Sequence, residues 1–190
     1  MLTLALVVSA LCFFQLGTVA KASDAAEQPL FLNNVSVHDP SVIKVDDLYY
    51  VFGSHLAAAK SRDLINWDLI ADGVRDGNTL IPNVLTEMGE ELAWVDADTF
   101  WAPDVIQMPD GRFYMYYCIG RLDAPRAVTG LAVADAIEGP YKNQGVIVRS
   151  GMWNQRSPDG RIYDATIHPN AVDPHVFFDA DGKLWMVYGS

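Results

Sequence analysis

The sequence predicts an all-β protein built from repeated hairpin units, and three observations support this prediction. Hydrophobic residues make up 51% of the chain and aromatic residues 11%, a composition that suits a packed, strand-rich core. Short apolar segments are followed by Asp-Asp or Asp-Gly turns and then by aromatic-rich segments, which is the pattern of a β-hairpin. This pattern occurs three times, and long helical periodicity is absent.

Each repeat consists of an Asp/Pro pair, a short apolar strand, a polar turn and an aromatic second strand. The three repeats open at His38-Asp39-Pro40, Trp101-Ala102-Pro103-Asp104 and Val172-Asp173-Pro174, and their turns begin at Asp46, Asp110 and Asp181. In the first two repeats, residues 55–67 and 129–135 fit a third strand. Three or four strands per unit is the size of one blade of a β-propeller, so the sequence predicts a propeller.

The repeats also predict how the chain is divided. Residues 36–190 are expected to form about two and a half blades, the N-terminal part of a longer propeller, because a propeller needs more blades to close. The alternative is a domain that a partner chain completes. Residues 73–100 and 150–170 lack a repeat pattern and are expected to be irregular, polar loops.

The first 22 residues are predicted to be a secretory signal peptide. An apolar run that starts at Leu2 is followed by Ala20-Lys21-Ala22, a small-x-small cleavage pattern. No Lys or Arg precedes the run, so an uncleaved anchor is the alternative, although the run is short for a membrane-spanning helix. Residues 23–35 are then a lead-in segment, and the protein is expected to be secreted, extracellular or periplasmic, without membrane attachment after cleavage.

Charge and cysteine content restrict the partners and the means of stabilisation. A net charge of −11 repels phosphate backbones and argues against nucleic-acid binding, whereas a neutral glycan is indifferent to it. Cleavage after Ala22 removes Cys12 and leaves Cys118 alone. The fold is therefore expected to be held by its core and not by disulfide bonds.

The candidate catalytic residues are two aspartates in equivalent positions of repeats one and three. Asp39 and Asp173 both precede a proline and both start an inner strand. Inner strands of a propeller line its axis, so these carboxylates are expected to meet at one mouth of the axis. Glycosidic hydrolysis needs such a set, because one carboxyl group activates water and another protonates the leaving oxygen. A turn cap is the structural alternative, and Asp104, shifted by one place, is expected to point elsewhere or cap a strand.

These motifs resemble glycoside hydrolase family 43, whose members are five-bladed β-propellers that act on arabinan and xylan. The resemblance lies in the first-blade segment, the second-blade segment and the segment before the third hairpin, which are residues 38–44, 101–105 and 170–174. Residues 52–61 are most similar to secreted endo-1,5-α-L-arabinanases. The substrate and partner implied is an arabinan polysaccharide or oligosaccharide.

The resemblance implies single-displacement hydrolysis with inversion. Asp39 corresponds to the general base, and Asp173 corresponds to the residue that orients the acid and tunes its pKa. The acid of the family is a glutamate that corresponds to a position beyond Ser190, so the chain by itself is expected to be inactive. Glu138 matches an ordinary outer-strand turn, and the remaining glutamates of the repeats are expected in a solvated loop (Glu87, Glu90 and Glu91).

Four residues are predicted to contact the substrate: Trp101 and Trp94 by stacking on sugar rings, and Asn170 and Ser190 by hydrogen bonds. Core packing is the alternative for both tryptophans. The chemistry requires no cofactor and no metal ligand is predicted here, although the resemblance implies that calcium can bind on the propeller axis of the full-length protein. The functional alternatives are a β-xylosidase or α-arabinofuranosidase of the same family, a non-catalytic carbohydrate-binding propeller, and a scaffold for protein contacts.

Overall fold

The computed structural model describes residues 35–189. The predicted signal peptide, the lead-in segment apart from Val35, and Ser190 lie outside the described residues. The described residues form two four-stranded sheets and then a two-stranded hairpin, and within each of these three units consecutive strands pair antiparallel. The predicted all-β class is confirmed, whereas closure of a propeller and its blade number stay predictions.

The strands follow one another in the order of the sequence. The first sheet contains β1 (Ser41–Val45), β2 (Leu48–Gly53), β3 (Ala57–Ser61) and β4 (Asp68–Ala71). The second contains β5 (Trp101–Gln107), β6 (Phe113–Ile119), β7 (Val128–Ala134) and β8 (Lys142–Arg149). The hairpin contains β9 (His175–Phe178) and β10 (Leu184–Val187).

The three predicted hairpin turns are confirmed. Asp46, Gly111 and Gly182 take left-handed conformations at these turns, with φ of 51°, 85° and 77°. Glycine adopts this region without a steric penalty, and aspartate tolerates it better than most residues. The predicted third strands are also present as β3 and β7, and each sheet adds a fourth strand.

The prediction for residues 73–100 is wrong in the middle of that stretch. Two short helices, α1 (Val84–Glu87) and α2 (Gly89–Val95), lie there. Val84, Met88 and Val95 are fully buried, and their spacing is that of one helix face. The apolar periodicity is confined to about three turns, which is why the polar residues between its members hide it. No helix of residues 35–189 is long and apolar enough to cross a membrane.

The helices also change the expected place of the glutamates. Glu91 is buried and accepts a hydrogen bond from Asn143 Nδ2 at 3.0 Å, and Glu87 accepts one from the Asn143 backbone N–H at 3.0 Å. The expected loop is therefore wrong for Glu87, Glu90 and Glu91, which lie on the two helices, and the expected solvation is wrong for Glu91, because α2 presses this side chain against β8. Glu90 and Glu138 are not buried.

The main core joins the two four-stranded sheets through the segment between them. Phe100 and Tyr117 pack with ring centroids 5.6 Å apart, and the Tyr141 N–H donates to the Leu80 carbonyl at 2.7 Å. A smaller buried cluster lies between the second sheet and the segment that leads to β9, formed by Cys118, Ala127, Ala171 and Val172. These clusters fix the position of each hairpin relative to the next.

Gly53 ends β2 where the backbone of the first repeat passes very close to it. A Cβ at residue 53 would lie 2.2 Å from the His38 carbonyl oxygen and 2.5 Å from Val37 Cγ1. We expect Gly53→Ala to lower the free energy of unfolding by about 3 kcal/mol, because a packed backbone atom has to move. Urea denaturation measures this change.

Gly89→Ala is the matched control for Gly53→Ala. No atom lies within 4 Å of the Cβ position of Gly89 at the start of α2, so alanine there is expected to leave stability unchanged or slightly higher. Equal denaturation midpoints for Gly53→Ala and the wild type would contradict the close approach of Gly53 to His38.

Candidate active site

A cleft of about 840 Å³ lies where the first strands of the repeats begin. Its lining comes from residues 38–39, 54–55, 96–99, 101–102 and 120–123, and from Asp173. The structure therefore brings Asp39 and Asp173 into one cleft, although 134 positions separate them (173 − 39) in the sequence. Both aspartates take left-handed conformations, with φ of 50° and 53°, so their backbones match as well.

Asp39 is held by one of its two carboxylate oxygens. Oδ2 accepts a hydrogen bond from Ser54 Oγ at 2.7 Å and lies 2.8 Å from His38 Nδ1. Ser54 is 2% exposed, and its Oγ in turn accepts a hydrogen bond from the Ala102 N–H at 3.0 Å. Oδ1 of Asp39 has no hydrogen-bond partner among the described residues, and the Asp39 side chain is 45% exposed and lines the cleft, so this oxygen is available to accept a proton.

Asp173 has a different environment. Its carboxylate makes no hydrogen bond within residues 35–189, and its pKa lies above the ordinary aspartate value. Partial removal from water is the larger cause of the raised pKa, and the negative charge of Asp39 is the second. The two carboxylates are thus coupled electrostatically, and only one of them is fixed by a hydroxyl donor in the described part of the chain.

The backbone beside the two aspartates is similar. The Ser54 N–H donates to the His38 carbonyl at 2.8 Å, and the Gly189 N–H donates to the Val172 carbonyl at 2.8 Å. Gly189 therefore stands where Ser54 stands in the first repeat, and it has no hydroxyl to offer Asp173. Ser190, which was predicted to bind the sugar, lies outside the described residues.

Asp104 does not face the main cleft. It is 7% exposed, its Oδ1 accepts a hydrogen bond from Ser41 Oγ, and its Oδ2 accepts one from the Val176 N–H at 2.7 Å. The same Oδ2 lies 3.1 Å from His175 Nδ1. The expectation that Asp104 points elsewhere or caps a strand is confirmed, because it caps the start of β9 and also bonds to β1.

Trp101 is the predicted sugar-stacking residue that the structure places in the cleft. Its ring packs on Gly120, where a Cβ would lie 2.5 Å from Cζ3 of the indole. Cys118 donates its S–H to the Trp101 carbonyl at 3.0 Å, and burial raises the pKa of this thiol to about 12. Gly120 thus leaves room for the ring, and the half-buried indole still borders the open space.

Two other predicted contact residues lie outside the cleft lining. Trp94 packs on the main core, and the guanidinium groups of Arg126 and Arg149 lie 4.8 Å and 5.0 Å from its ring centroid. This arrangement matches the packing alternative. Asn170 precedes the third repeat, and its Oδ1 is buried without a hydrogen-bond partner in the described part of the chain.

One wall of the cleft was not predicted from the sequence. Arg121 donates from Nη1 to Asp96 Oδ2 at 2.7 Å and holds Asp123 with two bonds of 2.8 Å. These contacts join the end of α2 to the loop between β6 and β7, and Leu122 on that loop is 98% exposed. No repeat motif includes this loop, so no pattern in the sequence indicated its role. Ser54, by contrast, belongs to the Gly-Ser pair at the end of the second strand of the first repeat, and this pair could have indicated it.

The cleft is acidic. Its lining contains five aspartates (Asp39, Asp96, Asp98, Asp123 and Asp173), and its one arginine, Arg121, is already paired with two of them. An anionic ligand would meet repulsion here, whereas an uncharged, hydroxyl-rich ligand would not. The electrostatics therefore suit a neutral ligand.

The described residues do not form a metal site by themselves. No group of three or more His, Cys, Asp or Glu side chains between residues 35 and 189 is arranged to hold a metal ion. A smaller cavity of about 360 Å³ is bordered by Asp39, Asp104, Asp173 and His175, but both oxygens of Asp104 already accept hydrogen bonds. Calcium binding in the full-length protein stays a prediction, and no chemical step is assigned to it.

An open cleft with coupled carboxylates on antiparallel sheets is typical of enzymes that cleave glycosidic bonds. The family model described as "Glycosyl hydrolases family 43" matches residues 31–190. The chain therefore belongs to glycosyl hydrolases family 43, as its motifs predicted.

Similar proteins support the same family. The extracellular endo-α-(1→5)-L-arabinanase 2 of Bacillus subtilis is 58% identical over 165 residues, which cover 87% of this chain and 35% of that protein. The crystal structure of a family 43 glycoside hydrolase, YxiA, from Bacillus licheniformis has a TM-score of 0.79 and 63% identity, over 82% of this chain and 35% of that one. The endo-1,5-α-L-arabinanase structure from Thermotoga petrophila has a TM-score of 0.77 and 52% identity, over 82% and 36%. The chain spans about a third of the length of these relatives.

Removal of the Asp104 carboxylate is expected to destabilise the fold. Asp104→Ala leaves the buried N–H of Val176 and the hydroxyl of Ser41 without their acceptor, so we expect a loss of about 3 kcal/mol in the free energy of unfolding. Asp135→Ala, at an exposed position after β7, is the control and should hardly shift the urea midpoint. Similar midpoints for both variants would contradict the bridging role of Asp104.

The raised pKa of Asp173 predicts a pH-dependent stability effect. Above its folded-state pKa the ionised carboxylate is less favourable in the folded state than in the unfolded chain. Asp173→Asn should therefore raise the urea midpoint at pH 7. The gain should disappear as the pH falls through the raised pKa and below the ordinary aspartate value, where Asp173 is protonated in both states.

Asp179→Asn is the control for Asp173→Asn, because it should change the urea midpoint at pH 7 in the opposite direction. The indole N–H of Trp185 and the backbone N–H of Lys183 hold the pKa of Asp179 below its usual value, so its ionised form favours folding. This substitution should lower the midpoint at pH 7, and its effect should fade as the pH falls through the depressed pKa. A gain for Asp173→Asn that is equal at pH 7 and pH 3 would contradict the raised pKa.

Proposed function

We propose that this chain is part of an extracellular endo-1,5-α-L-arabinanase that hydrolyses arabinan with inversion. The observation that carries the proposal is the placement of Asp39 and Asp173 in one cleft, with the charge of Asp39 contributing to the raised pKa of Asp173. The substrate is inferred from relatives of Bacillus subtilis and Thermotoga petrophila that are named extracellular endo-α-(1→5)-L-arabinanases and are 58% and 53% identical. Their names also support secretion.

The two sheets and the hairpin are, in this proposal, about two and a half blades of a five-bladed β-propeller. The three repeats begin at a common cleft, as inner strands of successive blades do. Residues 1–22 act as the signal peptide, and residues 36–190 belong to the catalytic propeller. These assignments extend beyond the described residues and follow the motif pattern of the family.

Asp39 acts as the general base. Ser54 and His38 engage Oδ2, so the orientation of the carboxylate is fixed while Oδ1 remains open to the cleft. A water molecule beside Oδ1 loses its proton to Asp39 and attacks the anomeric carbon from the side opposite the leaving group. The proton transfers and the bond cleavage occur in one displacement, which inverts the configuration at that carbon.

The general acid is a glutamate outside the described residues. The glutamates between residues 35 and 189 lie away from the cleft lining: Glu138 pairs with Lys60 at 2.8 Å, and the helix glutamates Glu87, Glu90 and Glu91 lie on α1 and α2. An inverting acid stands about 6.5–9.5 Å from the base, so that the water fits between them. Asp173 acts on this acid, because a neighbouring negative charge raises a carboxyl pKa and keeps the acid protonated.

The ligand is a neutral pentose polymer. The acidic lining favours an uncharged substrate over nucleic acid or an anionic glycan, and Trp101 offers a partly exposed ring face at the edge of the cleft. The proposed chemistry uses carboxyl groups alone and needs no cofactor.

Replacement of the base provides the test. In the full-length protein, Asp39→Asn should lower kcat on debranched arabinan by about 10²–10⁴-fold, while the affinity for arabino-oligosaccharides stays close to that of the wild type. Xylan is assayed in parallel, and NMR of the first products reports the anomeric configuration. Asp181→Asn, in an exposed turn, is the control and should keep full activity.

Three outcomes would contradict parts of the proposal. Full activity of Asp39→Asn would overturn the assignment of the base. Faster hydrolysis of xylan than of arabinan would overturn the substrate. Binding of arabino-oligosaccharides without hydrolysis by the wild type would indicate a carbohydrate-binding propeller instead of an enzyme.

A further inference from the structure

His55 has a backbone conformation that histidine rarely adopts. Its φ is 64° and its ψ is 25°, and the next residue, Leu56, has a φ of 53°. Two successive residues with a Cβ are thus in the left-handed region, where the side chain crowds the backbone. Such a conformation persists where the surroundings determine it, and it concentrates at functional sites.

Hydrogen bonds fix the backbone of His55 on both sides. Its N–H donates to the Phe100 carbonyl at 2.6 Å, and its carbonyl accepts from the Gly73 N–H at 2.9 Å. These bonds tie the link between β2 and β3 to the segments that enter β5 and leave β4. The backbone at residue 55 therefore has little freedom to turn its side chain in another direction.

The residues on either side of His55 are anchored as well. Ser54 is buried and donates its hydroxyl to Asp39, and Leu56 is fully buried with its carbonyl accepting from Asn78 Nδ2 at 3.1 Å. His55 is the exposed residue between two buried ones, and it lines the cleft. The strained link thus presents an imidazole to the cleft one residue away from the serine that holds Asp39.

The imidazole of His55 has no hydrogen-bond or ion-pair partner within residues 35–189. The other three histidines do have partners in that range: His38 contacts Asp39, His168 contacts Asp159, and His175 contacts Asp104. The local structure therefore does not use the His55 ring to hold the fold together.

Binding of a sugar in the cleft needs a side-chain donor that is free to hydrogen-bond a sugar hydroxyl. Ionised aspartates only accept hydrogen bonds, whereas a sugar hydroxyl both donates and accepts. Three other polar side chains of the lining are already engaged: Ser54 with Asp39, Thr99 with the Gly120 carbonyl, and Arg121 with Asp96 and Asp123. A neutral imidazole offers one N–H donor and one nitrogen acceptor, which together match one hydroxyl group.

We infer that His55 is a substrate-binding residue, which hydrogen-bonds a hydroxyl group of the sugar bound beside Asp39. This inference rests on the proposed function, because it takes the ligand of the cleft to be an arabinan chain. The left-handed conformation at residue 55 is the means by which the link between β2 and β3 directs the ring toward that sugar.

The variant His55→Gly distinguishes a substrate-binding role of His55 from a structural role. His55→Gly removes the ring and also relieves the left-handed strain, so the urea midpoint should stay the same or rise. At the same time KM for debranched arabinan and Kd for a linear arabino-oligosaccharide should both increase about five- to tenfold, with kcat little changed. His55→Asn, which tolerates the left-handed region and keeps a polar group, should recover part of the affinity.

Leu64→Gly is the matched control. Leu64 has a φ of 63°, is 50% exposed and lies outside the cleft lining, so glycine there should relieve the same kind of strain without any change in KM or Kd. If His55→Gly and the wild type share the same KM and Kd while the wild type hydrolyses arabinan, the role of His55 is overturned and the proposed function stands.

Failure of the proposed function gives a different pattern. If the wild type does not hydrolyse arabinan, the oligosaccharide titration decides on His55 without reference to catalysis. Equal affinities of the wild type and His55→Gly, or no binding by either, would overturn the inference. If His55→Gly does not fold, the affinity of His55→Asn for the oligosaccharide decides instead. An affinity equal to that of the wild type would then show that His55 is a structural residue and would overturn the inference.

Discussion

The carboxylate of Asp104 connects the three hairpin units at the point where their first strands start. It lies on β5, accepts a hydrogen bond from Ser41 at the start of β1, and accepts another from Val176 in β9. A buried carboxylate is stable only where donors replace the water it has lost, so the three strand starts have to meet around it. Ser41 is two residues after Asp39, and His175, whose ring lies beside Asp104, is two residues after Asp173. The contact that joins the repeats thereby also places the two carboxylates of the cleft.

The same repeat produces two carboxylates that differ chemically. The link after β2 begins with the buried Ser54, which fixes Asp39 by one oxygen, whereas the N–H of Gly189 makes the corresponding backbone hydrogen bond in the third repeat. Asp173 has no hydroxyl donor in the described part of the chain, and burial and the charge of Asp39 raise its pKa. In the proposed mechanism Asp39 is an oriented base and Asp173 is a neighbouring charge, and the different surroundings of the two carboxylates suit these different tasks.

Much of the fold could be predicted because its elements are local. The turns at Asp46, Gly111 and Gly182 and the strands on either side follow from turn chemistry and residue type within short segments. The shared cleft of Asp39 and Asp173 could be predicted because a repeat places equivalent residues in equivalent positions. Helices α1 and α2 were missed because their apolar face is short and interrupted by glutamates that pair with β8.

The rest of the site depends on contacts between segments without a shared pattern. The pairing of Arg121 with Asp96 joins a helix end to a distant loop, and residue type does not indicate that these two would meet. Trp94 has the residue type of a sugar platform, yet two arginines lie against its ring outside the cleft lining. His55 was hidden for a different reason, since only the backbone angle distinguishes it from an ordinary loop histidine.

In the proposed mechanism the described cleft supplies the base, and the acid comes from a glutamate outside the described residues. Asp39 and Asp173, the proposed base and the proposed neighbour of the acid, come from repeats one and three, and the Arg121 loop of repeat two provides a wall. In an inverting mechanism the acid has to face the base across a gap that admits water, so it belongs to a different segment from the one that holds Asp39. The proposed mechanism then requires that the repeats keep a fixed arrangement relative to one another. Asp104 contributes to this arrangement directly, because a shift of β1 or β9 would break its hydrogen bonds and move Asp39 or Asp173 away from the shared cleft.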